Sequence, residues 1–345
     1  MAPVIRACEK EDIDYQLIHM GQHYSYEMDK IFFQELELPE SNYNLDVGFG
    51  IPAEQTAKIL MEIEKILVNE KYGTNDVVLV ESDTNTVFAT ALVASKLHVK
   101  IGHVEAGLRS YDRNMPEEIN RILTDHISDY LFVPTENAKK ILLSEGIEKE
   151  KIFVTGNTIV DSVYQNLELA EKKVDVFEKL EIKKGNYFLV TTHRVENVDV
   201  KEKLIEIIER LKKVNDKYKL PIIFPAYPRP IKIIQKFNIK LNENIKLIKP
   251  LGFLEFLQLE ANVKLVLTDS GGVQEETSIL KAPCITVGDN AEKPETIDVV
   301  GNVLAGSDPD MLFSKVNIMI NKERNWKNPF CDGKSGEKIG GIIKC

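Results

Sequence analysis

The chain has 345 residues, 43% hydrophobic and 28% charged, which suits a globular protein of about two domains. A net charge of -10 and a pI near 5.3 argue against nucleic acid or an anionic membrane as the main partner. There is no apolar run of about 18 residues and no signal-peptide pattern, and the four cysteines have no metal-ligand spacing, so a reduced, cytoplasmic protein without a metal is expected.

Met1-Ala-Pro-Val-Ile5 has the character of a helix interior with no cap before it. Apolar runs at 76–80, 99–104, 130–133 and 152–155 read as strands, with helical patterns near 84–96, 116–127 and 136–145 between them. A polar, Lys/Glu-rich helix over 167–180 shows little apolar periodicity and marks a junction. Strands resume at 187–192, 221–225, 245–248, 263–267 and 283–287. Such alternation predicts parallel sheets with crossover helices. The expected architecture is α/β, with two doubly wound, Rossmann-like domains and a cleft at the carboxyl ends of their strands. The boundaries fall at 1–161 and 162–328, and a tail over 329–345 is expected to cross back to the N-terminal domain.

Asp83 lies at the carboxyl end of the 76–80 strand, where doubly wound folds place their sites. On position alone it reads as an N-cap for the next helix. Glu105 ends the 99–104 strand just before Ala106-Gly107, and alone would pass for a solvated loop acid. Glu117 and Glu118 follow Pro116, a residue suited to a helix's first position, where acids also complement the dipole. Three carboxylates at strand or helix ends are harder to explain as separate accidents. His193 ends the 187–192 strand, a place from which it can donate a hydrogen bond to a phosphate, although a lone histidine is more often structural. Thr268-Asp-Ser-Gly-Gly-Val-Gln-Glu-Glu276 follows the 263–267 strand. Ser270 reads as the cap of a helix whose first amides, at Gly271 and Gly272, lie open to an anion. Glu276, on the second turn, leans back toward that anion and suits the hydroxyls of a ribose. Lys293 could meet a diphosphate or be a solvated loop lysine. The three-glycine dinucleotide fingerprint is absent, so a nicotinamide cofactor is unsupported.

Six motifs occur in order: Gly102-His-Val-Glu-Ala-Gly-Leu-Arg-Ser110, Met115-Pro-Glu-Glu-Ile-Asn-Arg121, Thr155-Gly-Asn-Thr158, Thr192-His-Arg194, Asp269 to Glu276, and Glu292-Lys-Pro-Glu-Thr296. Together they resemble the non-hydrolysing UDP-N-acetylglucosamine 2-epimerase family over nearly the whole chain. The resemblance implies a glycosyltransferase-B type fold, a homodimer, no metal or other cofactor, and a role in supplying cell-surface or secreted polysaccharide. Asp83, Glu105, Glu117 and His193 match the family's catalytic positions. Ser270, Gly271 and Gly272 match its diphosphate cradle, Glu276 its ribose ligand, and Leu251 and Phe256 its uracil contacts. Gln22 and His23 match a region where a second substrate molecule acts as an allosteric activator. The implied reaction is loss of UDP from C1 as the C2 proton leaves, giving a 2-acetamidoglucal, then re-addition to give UDP-N-acetylmannosamine.

Three departures stand out. Lys293 replaces a common arginine, which keeps the charge but loses bidentate phosphate contact. Tyr227 replaces a usual histidine near the second-substrate region. The family's first strand and its Gly-Thr-Arg-Pro-Glu loop have no counterpart, which leads to the expectation that Met1 is internal and that translation begins about 20 residues upstream. The alternatives are a hydrolysing 2-epimerase that releases N-acetylmannosamine and UDP, a relative acting on a diacetamido uronic acid, a retaining glycosyltransferase, and an inactive truncated chain that binds UDP.

Overall fold

Residues of the chain group into two units, Met1–Ser162 with Phe330–Cys345, and Val163–Pro329. The computed structural model describes residues 1–21, 30, 33–48, 50–192, 201–226, 228–237, 239, 241–287, 294–306 and 309–344.

The first unit opens with α1 (Ala2–Lys10), which carries proline in its first turn and no side-chain cap. Strands β1 (Ile18–His19) and β2 (Tyr43–Asn44) pair in parallel as a small separate sheet. Helix α2 (Pro52–Asn69) follows, and then a regular alternation of β3 (Val77–Glu81), α3 (Asn85–Lys96), β4 (Lys100–Val104), α4 (Pro116–Ile127), β5 (Tyr130–Val133), α5 (Glu136–Ser144), β6 (Ile152–Val154) and α6 (Thr158–Lys173). The sheet runs β3-β4-β5-β6, all parallel. Four of the five β4 residues are buried, as a strand covered on both faces requires. Val77, Val78 and Leu79 of β3 are only half-buried, and among the described residues β3 pairs with β4 alone.

Opposite faces of this sheet bury different partners. Leu131 and Val133 pack with Ala138 and Leu142 of α5, while Phe132 points the other way, to Val4 and Cys8 of α1. That alternation is the period-two geometry of a strand.

The polar helix expected over 167–180 is two helices. α6 ends at Lys173, and α7 (Val176–Leu180) restarts with Asp175 as its cap, the carboxylate accepting from the amides of Phe177 and Glu178 at 3.1 Å. Asp is a strong helix starter, and Glu178 at the third position completes the local signature.

The second unit contains β7 (Phe188–Thr191), α8 (Lys201–Tyr218), β8 (Ile222–Pro225), α9 (Pro228–Lys236), β9 (Ile245–Ile248), α10 (Phe253–Asn262), β10 (Leu265–Thr268), α11 (Gly271–Ile279), β11 (Cys284–Thr286), α12 (Pro294–Asp298), β12 (Asn302–Leu304) and α13 (Pro309–Ile320). Its parallel sheet has the order β12-β11-β10-β7-β8-β9, so the winding reverses between β7 and β10. Phe188 and Val190 pack toward α8 and α13; Tyr187 and Leu189 pack toward α7, α10 and α11. Both faces are therefore covered, as a doubly wound sheet demands.

The chain then returns to the first unit as α14 (Ser335–Ile343), where Ile339 joins Val4 and Cys8 in one cluster. Gly336 makes this approach possible, since a Cβ there would sit 2.5 Å from the Pro3 carbonyl oxygen. Its amide donates to Asp161 Oδ1 at 2.9 Å. No helix of the described residues is long and apolar enough to cross a membrane.

Candidate active site

In the first unit the candidate carboxylates sit on turns that the surrounding polar network fixes. Ser82, Glu105 and Gly107 hold positive φ values of 77°, 67° and 78°, a conformation that costs non-glycine residues energy and persists only when neighbours hold it. His103, fully buried in β4, supplies the hold. Its Nε2 donates to the Ser82 carbonyl at 2.9 Å, and Nδ1 lies 2.7 Å from Asp125 Oδ1. The other Asp125 oxygen accepts from the Gly107 amide at 3.2 Å and pairs with Arg109 at 2.7 Å. Arg109 in turn grips Glu145 with two nitrogens, at 2.9 and 2.6 Å. Strand ends β3 and β4 and helices α4 and α5 are thus tied through one buried chain of charges.

Asp83 does not cap α3. The cap position is Thr84, which makes no side-chain cap bond, and the Asp83 carboxylate pairs instead with Arg121 of α4. Asn120 Nδ2 donates to the Asp83 carbonyl at 3.0 Å, so consecutive residues of α4 hold both ends of Asp83. Arg121 also reaches Glu118 at 3.3 Å.

The two acids of the α4 first turn differ sharply. Glu118 is 1% exposed and accepts from the Ser110 amide and hydroxyl, both at 2.9 Å, and from the Tyr111 amide at 3.0 Å. Burial pushes its carboxyl up, but the Ser110 backbone and hydroxyl, the Tyr111 backbone and the Arg121 charge outweigh that and hold it below the usual range. Glu118 is therefore a clasp for the 110–111 turn, and Glu117 beside it is exposed. Glu105, on its strained turn, is partly exposed.

In the second unit the features converge where the sheet reverses. Thr191 and Thr268, in register on β7 and β10, have hydroxyls 2.6 Å apart. Thr192 donates to Asp269 at 2.6 Å. Thr268 Oγ1 accepts from the Ser270 amide at 2.9 Å, and Ser270 Oγ caps α11 by accepting from the Val273 amide at 3.5 Å. Gly271 is buried and Gly272 exposed, so α11 presents its first turn at the switch point, the usual ligand site of this class. Leu251 and Phe256 are half-buried against the cluster that contains Val273. The Glu276 residue is partly exposed; burial of its carboxyl pushes it up to about 7, and the charge of Glu275 acts in the same direction.

The structure thus groups Asp83, Glu105 and Glu117 in the first unit, and Leu251, Phe256, Ser270, Gly271, Gly272 and Glu276 in the second. His193, Lys293, Gln22, His23 and Tyr227 lie outside the described residues. Sequence reasoning missed Arg121 and the His103–Asp125–Arg109 chain. A signal existed for His103, because a histidine in a strand covered on both faces must find polar partners for its ring.

Strand order, switch-point turn and paired parallel sheets define an α/β protein of glycosyltransferase-B type. Comparison with known proteins narrows this. The sequence model of a family described as UDP-N-acetylglucosamine 2-epimerase matches residues 6–344. The chain is 57% identical to the UDP-N-acetylglucosamine 2-epimerase of Methanocaldococcus jannaschii, over 99% of this chain and 94% of that protein. It is 39% identical to the UDP-2,3-diacetamido-2,3-dideoxy-D-glucuronate 2-epimerase of Pseudomonas aeruginosa, over 91% and 86%. A crystal structure of the M. jannaschii enzyme in complex with UDP-GlcNAc and UDP superposes with a TM-score of 0.83 at 57% identity, over 99% of this chain and 95% of that one. The chain belongs to the UDP-N-acetylglucosamine 2-epimerase family.

Proposed function

We propose that the protein interconverts UDP-N-acetylglucosamine and UDP-N-acetylmannosamine at C2, without net hydrolysis. The observation that supports this reading is the division of groups: carboxylates at strand and helix ends of the first unit, Asp83, Glu105 and Glu117, and the open first turn of α11 at the switch point of the second. The family membership supports the substrate.

The C2 proton of the sugar is not next to a carbonyl, so direct abstraction is slow. Loss of UDP from C1 together with that proton gives a 2-acetamidoglucal; re-addition with protonation from the other face completes the inversion. Asp83, Glu105 and Glu117 are the groups assigned to proton transfer, an assignment that needs carboxyls in different environments. Arg121 orients Asp83. The amides at Gly271 and Gly272 carry the charge that develops on the departing diphosphate, Glu276 takes the ribose hydroxyls, and Leu251 and Phe256 take the uracil. His193 and Lys293 are assigned to the diphosphate from their motifs.

Incubation with UDP-N-acetylglucosamine in heavy water, followed by NMR, tests the reading. Deuterium is expected at C2 of both epimers with little free UDP or N-acetylmannosamine. Deuterium-free product rules out the elimination, and accumulation of N-acetylmannosamine with UDP identifies a hydrolysing enzyme. The P. aeruginosa relative favours a second substrate, the diacetamido glucuronate, and turnover of that nucleotide sugar alone would replace N-acetylglucosamine in the proposal.

A further inference from the structure

Side-chain amides from α2, α3 and α4 form a hydrogen-bonded row that ends on Asp83. Gln55 Nε2 donates to the Gly48 carbonyl at 3.3 Å, and Gln55 Oε1 accepts from Asn85 Nδ2 at 3.1 Å. Asn85 Oδ1 accepts from Asn120 Nδ2 at 3.2 Å, and the other hydrogen of that nitrogen goes to the Asp83 carbonyl at 3.0 Å. An amide side chain carries donors on one side and an acceptor on the other. Each amide is therefore held in one orientation by the next, and turning any of them over would set like groups against each other.

The far end of the row is anchored. Lys58, one turn along α2 from Gln55, donates to the Asp46 and Val47 carbonyls at 2.6 and 3.2 Å, so α2 grips the carbonyls of 46, 47 and 48 in succession. That turn clasps the end of β1, with the Val47 and Gly48 amides donating to the Met20 and Gly21 carbonyls at 2.9 and 3.2 Å. A Cβ on Gly21 would lie 2.9 Å from the Asp46 Cα, so the two segments meet with no room for a side chain. Cohesion between the helices comes from elsewhere: Ile59 and Ile63 of α2 share a buried apolar cluster with Val87 and Ala91 of α3. What the row adds is the placement of the Asp83 backbone, while Arg121 and the Ser82 hydroxyl hold the carboxylate.

We propose that Gln55 and Asn85 are positioning residues for the reaction, a role that rests on the reading of Asp83 as a proton-transfer group. Through Asn120 they set the Asp83 backbone against the 46–48 turn, and a displacement of that turn moves Asp83. Turnover then responds to a break in the row, whereas UDP affinity, assigned to groups of the second unit, does not.

A double-mutant cycle on turnover tests this. Gln55→Met and Asn85→Ala remove the amides at half-buried sites and put good helix formers there, so both variants should fold. Each should lower kcat about tenfold, the effect of a slightly misplaced reacting group. KM for UDP-N-acetylglucosamine and UDP affinity by calorimetry should stay within about twofold. One break already frees Asp83, so the double variant should also lose about tenfold, whereas independent packing defects would multiply to about a hundredfold. A hundredfold loss, an effect on KM alone, or wild-type kcat in Gln55→Met overturns the proposal. Asp83→Asn separates the two readings, because full turnover in that variant would sink the proton-transfer role of Asp83 itself. Hydrogen exchange of the Asn120 side-chain amide, followed by NMR, reads the row without substrate, and should quicken by about tenfold or more in Gln55→Met. Equal exchange in the two proteins refutes a continuous row even if Asp83 transfers the proton.

Discussion

His103 and Asp125 meet at 2.7 Å in a region sealed from water, and through them the turn that bears Asp83 is joined to the turn that bears Glu105. Asp125 there answers both a histidine ring and the Arg109 guanidinium. Removing one member of such a buried set leaves charge without compensation. Asp125→Ala should cost about 3–5 kcal/mol of unfolding free energy, and any protein that still folds should turn over slowly because the Ser82 and Glu105 turns relax. Urea denaturation measures the first effect. A cost below about 1 kcal/mol would mean that the network is solvated in solution.

Among the described residues, Arg121 forms ion pairs with the Asp83 and Glu118 carboxylates. Arg121→Ala should lower kcat by about 10²-fold or more by freeing Asp83, since positioned acid–base groups contribute about 10²–10⁴. UDP affinity should stay near the wild-type value, because the nucleotide is assigned to the second unit. A variant with full kcat and weakened UDP binding would reverse the roles of the two units.

Glu276→Ala should weaken UDP binding by roughly 1.5–3 kcal/mol, the scale of hydrogen bonds to a charged acceptor. Asp83→Asn and Glu117→Gln should instead lower turnover and spare UDP affinity. Calorimetry on the three variants decides the matter, and an equal loss of affinity in all of them contradicts the assignment.

Glu118 gives a pH-dependent prediction. Its folded pKa lies below the ordinary value, so its contribution is present above the unfolded range near ~4.3 and is lost as pH falls through the depressed value. Glu118→Gln should destabilise the protein by about 1–3 kcal/mol at neutral pH, and the gap from wild type should close in acid. Denaturation at the two pH values gives the comparison; a gap that does not change with pH would show that Glu118 acts by packing alone.

Local signals carried most of what the sequence disclosed. The Ser270 cap, the two glycines after it and the apolar run before them lie within ten residues, so the switch-point turn was readable as a unit. The α6–α7 break was local too, with Asp175 and Glu178 spaced as a helix start, but its Lys/Glu-rich setting masked it. Strands β1 and β2 are two residues each, too short for a period-two pattern to register. Pairings such as Arg121 with Asp83, 38 residues apart, or Arg109 with Glu145, 36 apart, depend on which helix packs on which strand. No spacing rule reports that.

The position of α14 bears on how the chain is made. Ile339 completes the cluster that Val4, Cys8 and Phe132 begin, yet all of 163–329 is translated between Phe132 and Ile339. At about 5–20 residues per second, the ribosome needs on the order of 10–30 s to cross that stretch. The second unit is continuous in sequence and can mature as it emerges. The first must hold an uncovered apolar face in wait for its last helix, which makes the interval before α14 arrives the period in which the nascent chain most needs a chaperone.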